Sequence, residues 1–186
     1  MQVLAESGTR GLSFRAVAKR LGGSTTLITH YFPTQRALID ELTTSQVDQW
    51  REQIRALDLQ SDDPLQRLHD LLVWLIPVTE IGLNEERSRI HLLSGHLLGE
   101  ENRAAFVEWD RTIRGFIRTH LTGLVPKAEI ERTVDLLRAT ANGVVLTVVE
   151  HPESWPPERQ IAIIDRCLSG LGLLPSTKKK RVTKRG

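Results

Sequence analysis

Cysteine is almost absent from this chain. Of 186 residues one is cysteine, Cys167, so no intramolecular disulfide can form, and a reducing cytoplasm is the expected setting. Aromatics are also sparse at 5%, with four tryptophans but one tyrosine. No apolar run reaches the roughly 18 residues a membrane span needs. The longest candidate, 71–78, is interrupted by Pro77. The start shows no charged-then-apolar leader. A soluble, cytoplasmic protein with no membrane partner is therefore expected. HExxH and CxxC are missing, and His91 and His96 stand five apart, which does not align them on one helix face. Cys167 lies in the apolar pattern IAIIDRCLSGLGL, where a buried, inert thiol is the better reading. Neither a metal site, a cofactor nor an enzyme activity is expected. Strand alternation, repeats and low-complexity stretches are likewise lacking before residue 176, so the fold class is all-α.

The net charge of +2 conceals a division. The stretch 178–186 holds six of the 25 Lys and Arg and none of the 23 acids, so residues 1–177 carry a net charge of −4. Within 1–39, however, Arg10, Arg15, Lys19, Arg20 and Arg36 face a single acid, Glu6. Positive charge thus collects at the two ends. The C-terminal end, 176–186, is expected to be a disordered basic tail.

The most informative segment is LSFRAVAKRLGGSTTLITHYFPTQRALIDEL, residues 12–42. Ser13 is placed to cap a helix in which Phe14, Val17, Ala18 and Leu21 repeat as one buried stripe. Arg15, Lys19 and Arg20 lie off that stripe. Gly22 and Gly23 end the helix, Ser24 caps the next, and Pro33 stops it. At about 100° per residue, Thr25, Thr26, Thr29 and His30 fall on one arc of that second helix. Leu27, Ile28, Tyr31 and Phe32 fall on the other, which is expected to be buried. Thr34 caps the long pattern that follows.

Two short helices with a tight Gly-containing turn fit a helix-turn-helix, whose second helix enters the major groove of DNA. They also fit a helical hairpin that merely packs, which periodicity alone leaves open. The basic balance of residues 1–39 favours the DNA-reading alternative.

At these residues the chain resembles TetR-type transcriptional regulators. The matching features are the Ala-Glu-x-Gly end of helix one, the Val-Ala-x-x-x-Gly of helix two and the Ser-x-x-x-apolar-x-His-Tyr-Phe of helix three, with Leu38 opening helix four. The Ile-Thr-His-Tyr-Phe wording is similar to the branch containing the choline-responsive BetI repressors. So is the stretch from Ala139 to Leu171, with Asn142-Gly143 and Trp155-Pro156-Pro157. The resemblance implies DNA contacts from Ser13, Arg15, Ser24, Thr25, Thr26, Thr29, His30, Tyr31, Thr34 and Gln35. Where the family often has tyrosine this chain has Thr29, with shorter reach. Where it often has lysine this chain has Gln35, which can hydrogen-bond a phosphate but adds no charge, so a shallower salt dependence is expected. Helix one looks truncated, and a misassigned start is the expectation.

The implied organisation is a helix-turn-helix domain over 1–44, a helical ligand-binding and dimerisation domain over 45–175, and the tail. Helices are expected over 34–57, 65–76 (starting at Asp62 or Asp63 with Pro64), 85–98, 102–124, 127–150 and 157–171. Leu136, Val144, Val145, Val148, Ile161, Ile164 and Leu168 make two apolar faces. As pattern they suit internal core and interface equally; the resemblance implies a four-helix interface between two copies, hence a C₂ dimer reading a palindromic operator. It also implies a small-molecule pocket, for which Trp74, His91, Phe106, Trp109 and Asn142 are the candidates. The function expected is a ligand-responsive repressor whose partners are double-stranded DNA, a second copy and a small-molecule effector. The alternative is a dimeric helical binding protein with weak or lost DNA affinity.

Overall fold

The computed structural model describes residues 2–94 and 100–173. Expectations for His96, for the end of a helix at Leu98 and for the basic tail lie outside them. Among the described residues the chain is helical with no strand: α1 (Gln2–Gly11), α2 (Phe14–Leu21), α3 (Thr25–Tyr31), α4 (Gln35–Asp58), α5 (Pro64–Trp74), α6 (Glu80–Ser94), α7 (Glu100–Leu121), α8 (Ile130–Glu150) and α9 (Pro157–Gly170). A 3₁₀ turn, Lys127–Glu129, leads into α8. No helix among these residues is long and apolar enough to cross a membrane.

The caps form as the side chains dictate. Ser13 Oγ accepts from the Ala16 N–H at 3.2 Å, Ser24 Oγ from Leu27 at 3.2 Å, and Thr34 Oγ1 from Ala37 at 3.0 Å. Each such cap stabilises its helix by about 1 kcal/mol. Gly22 ends α2 at φ 67°, where its own N–H and that of Gly23 close back on Lys19 and Ala18 carbonyls. Asp63 caps α5 with Pro64 in the first turn.

Two expectations are corrected. The sixth helix starts at Glu80 rather than at residue 85, because Thr79 caps it: its Oγ1 accepts from Gly82 N–H at 3.0 Å and its carbonyl from Leu83 N–H at 2.9 Å. The seventh helix closes at Leu121, followed by a turn through Gly123 at φ 84°.

Two apolar clusters hold the molecule together. The smaller joins Leu4 and Leu12 of the N-terminal end, Ile39 of α4 and Leu92 of α6, with Val3, Val17 and Phe106 packed against it. The larger is built by α4, α5, α7, α8 and α9, around residues such as Trp50, Leu68, Leu72, Ile113, Ile117, Leu137, Val144 and Ile164. The division expected at residue 44 falls inside α4, which runs unbroken for 24 residues from the small cluster to the large one.

Candidate functional site

The exposed arc of α3 carries Thr25, Thr26, Thr29 and His30, all open to solvent. Ile28 is the residue α3 buries, with Phe32 half-buried behind it. Leu27 and Tyr31 are not buried as the arc predicts: they are 57% and 68% exposed. A helix of seven residues meets the rest of the head along little more than one line, too narrow for a half-circle of apolar groups. Leu21, at the end of α2 beside Gly22, is exposed for the same reason. The presented surface is therefore broader and greasier than hydroxyls alone, with methyls and a phenol next to Thr26 and His30. Thymine methyls and phosphates are matched by such a mixture.

Among the remaining candidates, Ser13, Ser24 and Thr34 are exposed caps. Each hydroxyl accepts from a backbone N–H and keeps its own proton to donate outward. Thr29 Oγ1 donates to the Thr26 carbonyl at 3.1 Å, leaving its lone pairs and methyl outward. The Gln35 side-chain amide donates to the Leu12 carbonyl, tying α4 to the end of α1. One of its two amide N–H groups is thus engaged inside the head. Arg15, Lys19 and Arg36 are exposed on the same end of the molecule.

In the body, a cavity of about 290 Å³ lies between α4, α5, α6, α7 and α8. Trp74, Trp109 and Asn142 line it, as the sequence suggests. His91 does not: it stands where a Cβ on Gly8 would approach its ring at 3.3 Å, at the contact of α1 with α6. Phe106 does not either; it packs against both apolar clusters. The reason is phase. On α6 the cavity-lining positions are Ile81, Gly82, Glu85, Glu86 and Arg89, and His91 lies on another face. Trp50, Glu85, Glu86, Arg89 and Arg138 are lining residues that sequence reasoning missed.

Trp50 and Trp109 stack with centroids 5.6 Å apart at 28°, and Trp74 meets Trp109 edge-on at 6.3 Å and 72°. Trp50 Nε1 donates to Glu85 Oε2 at 3.1 Å. Arg89 pairs with Glu86 at 2.7 Å. Arg138 Nε donates to Asp110 at 2.8 Å and its Nη1 to Asn142 at 2.8 Å. Burial acts to raise the Asp110 pKa, but hydrogen bonds and charge from Arg138 and Arg114 outweigh it and hold the carboxyl below its ordinary value. Among the described residues no cluster of three or more His, Cys, Asp or Glu is arranged to hold a metal ion.

The residues expected at an interface on α8 and α9 divide by burial. Val144, Val145, Val148, Ile164 and Leu168 are buried within the protomer, filling the core against α5 and α7, and Ile161 is half-buried. The outward apolar residues are Leu136, Leu146 and Ile163, with exposed Ala139, Gly143 and Ala162 among them. A Cβ on Gly143 would meet open space.

Residues 1–42 match the family model described as bacterial regulatory proteins, tetR family. A transcriptional regulator from Rhodococcus sp. Rha1 superposes with a TM-score of 0.78 at 27% identity, over 90% of this chain and 91% of that one. A transcriptional regulator from Saccharomonospora viridis, solved in complex with choline, gives 0.78 at 18% identity over 90% of each chain. A TetR transcription regulator from Haloarcula marismortui ATCC 43049 gives 0.76 at 17%, over 90% and 91%. No curated protein matches the chain.

Proposed function

From a chain with the TetR fold and that family's helix-turn-helix at its N-terminal end, we propose a ligand-responsive, sequence-specific DNA-binding regulator. It acts in the cytoplasm as a repressor, without enzymatic activity. It binds a palindromic operator as a homodimer, and a small molecule in the body releases it. The observation that carries this reading is α3: a short helix capped by Ser24, with Thr25, Thr26, Thr29 and His30 outward, packed against α2. Such an element serves no packing purpose on its outer side and has the dimensions of a major-groove reader.

The outward face of Leu136, Ala139, Gly143 and Leu146 on α8, with Ala162 and Ile163 on α9, is the proposed C₂ interface. The small residues let two such faces approach closely, and the two readers then stand a whole number of DNA turns apart. The cavity beneath Trp50, Trp74 and Trp109 is the proposed effector site; the choline held by the Saccharomonospora viridis protein, which shares this fold, supports a small organic occupant. Coupling follows from two connections. α4 runs unbroken from the reader to Trp50, and α1 packs on α6, which supplies Glu85 and Glu86. An effector with different affinity for two arrangements of these helices shifts the spacing of the readers. The motifs around His30 and Trp155 favour the BetI-like branch.

Selection of binding sites from a random duplex library tests the reading. Recovery of a palindrome is the expected result. Failure to enrich any sequence would leave the ligand-binding alternative in its place.

A further inference from the structure

We infer that Leu27 of α3 is a specificity-determining residue that reads the C5-methyl group of a thymine in each operator half-site. The assignment rests on the proposed function, in which α3 is the DNA reader, and adds the chemical group it recognises. Leu27 is 57% exposed, and Tyr31, one turn further along the same side of α3, is 68% exposed. A single leucine in water needs no explanation, but two large groups in register along one short helix form an open patch. The end of the molecule that carries them is cationic. Arg15, Lys19 and Arg36 are exposed there, and Glu6, the one acid of residues 1–39, is paired with Arg20 at 3.3 Å. An apolar strip on a cationic end complements a polyanion with apolar groups between its charged strands, as a thymine-bearing major groove is.

Position along the helix separates the two residues. In a helix-turn-helix, the N-terminal residues of the second helix meet base edges. Leu27 is the third residue of α3 and Tyr31 its last, so Leu27 is the one placed to meet a base. It stands about 100° around the axis from the buried Ile28, next to the outward Thr26. A leucine side chain neither donates nor accepts a hydrogen bond, so it tells bases apart only by apolar contact. The thymine methyl is the apolar group that major-groove edges present. Cytosine lacks it and 5-methylcytosine restores it, so the contact senses the methyl rather than the base pair that bears it. Thr29 is the rival reader, since its hydroxyl donates back to the Thr26 carbonyl at 3.1 Å.

The duplex recovered from the random library is resynthesised with deoxyuridine replacing one symmetric pair of thymines at a time. Fluorescence anisotropy then measures its affinity for the full wild-type chain, Leu27→Ala and Thr29→Ser. For the wild type, one pair is expected to cost about 15-fold, roughly fourfold for each of the two methyl groups. In Leu27→Ala the same replacement should change affinity by less than about twofold. At that step 5-methylcytosine should bind the wild type more tightly than cytosine does, and Leu27→Ala equally. Leu27→Gln, a second variant of similar size, gives the same comparison should alanine unfold the head. A duplex in which no thymine responds overturns the inference, as does a response that survives in Leu27→Ala or that Thr29→Ser abolishes instead. If Leu27→Ala lowers the assembly state of the free chain in sedimentation, the face is a contact between copies and the inference falls. A library that enriches no sequence removes the DNA reader and this contact together. A palindrome indifferent to uracil keeps the regulator and discards only the contact.

Discussion

Asp110 of α7 accepts a 2.8 Å hydrogen bond from Arg138 of α8, whose side chain is only 10% exposed. The same carboxylate accepts from Arg114 at 2.8 Å. Removing it strands a guanidinium in a poorly solvated place. Asp110→Ala is expected to cost about 2 kcal/mol, short of a fully buried pair because Asp110 itself is partly solvated. Asp110→Ala with Arg138→Met should recover more than half of that. Urea midpoints at constant slope measure both.

Under the proposed function, Ser24 would join stability to DNA reading. Its cap holds the first turn of α3, where Thr25 and Thr26 stand. Ser24→Ala is expected to destabilise by about 1 kcal/mol and to weaken operator binding. Alanine at Thr25, Thr26 and His30 together should leave stability within about 0.5 kcal/mol and weaken specific binding by about 2 kcal/mol or more. Titration of the selected duplex, with sedimentation to verify the dimer, separates these effects. Unchanged affinity in the triple variant would remove α3 from its role.

The faces of α8 and α9 make opposite predictions. Leu146→Asp or Ile163→Asp should yield a folded monomer with operator binding lost. Ile164→Ala, inside the protomer, should cost about 2–4 kcal/mol of stability while the remaining folded protein stays dimeric. Sedimentation velocity and thermal melts on the three variants decide between an interface on the outward residues and one on the inward stripe.

Acid should weaken the fold from near neutrality. His120 Nε2 lies 2.9 Å from Asp58 Oδ1, with the ring almost wholly buried. Burial lowers its pKa below 6.5; the Asp58 charge opposes this and the Arg67 charge adds to it. The unfolded chain therefore takes up the proton first, so this contribution is complete above pH 6.5 and falls away as pH drops toward the lowered value. Asp110 adds a second loss at lower pH, below its ordinary 3.8, as its depressed pKa is crossed. Urea midpoints at pH 7.5 and pH 5.5 should differ more for the wild-type chain than for His120→Gln.

The caps and the glycine stop at Gly22 were legible because each depends on one residue and its neighbours three or four positions away. The exposure of Leu27 and Tyr31 was not, since periodicity gives the direction of a side chain and not whether anything lies opposite. The cavity was half legible for a related reason. Trp74 and Trp109 stood out as large polar-tipped groups in apolar stretches, whereas Trp50 blended into the stripe of α4. The pattern marks Glu85 as a helix start, whereas the cap is Thr79 and the Glu85 carboxylate meets an indole 35 positions away. On α8, pattern alone left inward and outward apolar faces equivalent; only the packing of α5 and α7 tells Val145 from Leu146.

In the proposed mechanism the unbroken α4 would serve as a lever arm. Trp50 sits fifteen residues beyond Gln35, which at the rise of an α-helix is roughly 22 Å. A tilt of about 6° pivoting at the tryptophans would swing the far end by about 2 Å. A displacement at the cavity smaller than a bond length is thereby magnified several-fold at the Gln35 end, where Gln35 grips the Leu12 carbonyl and carries the reading head with it.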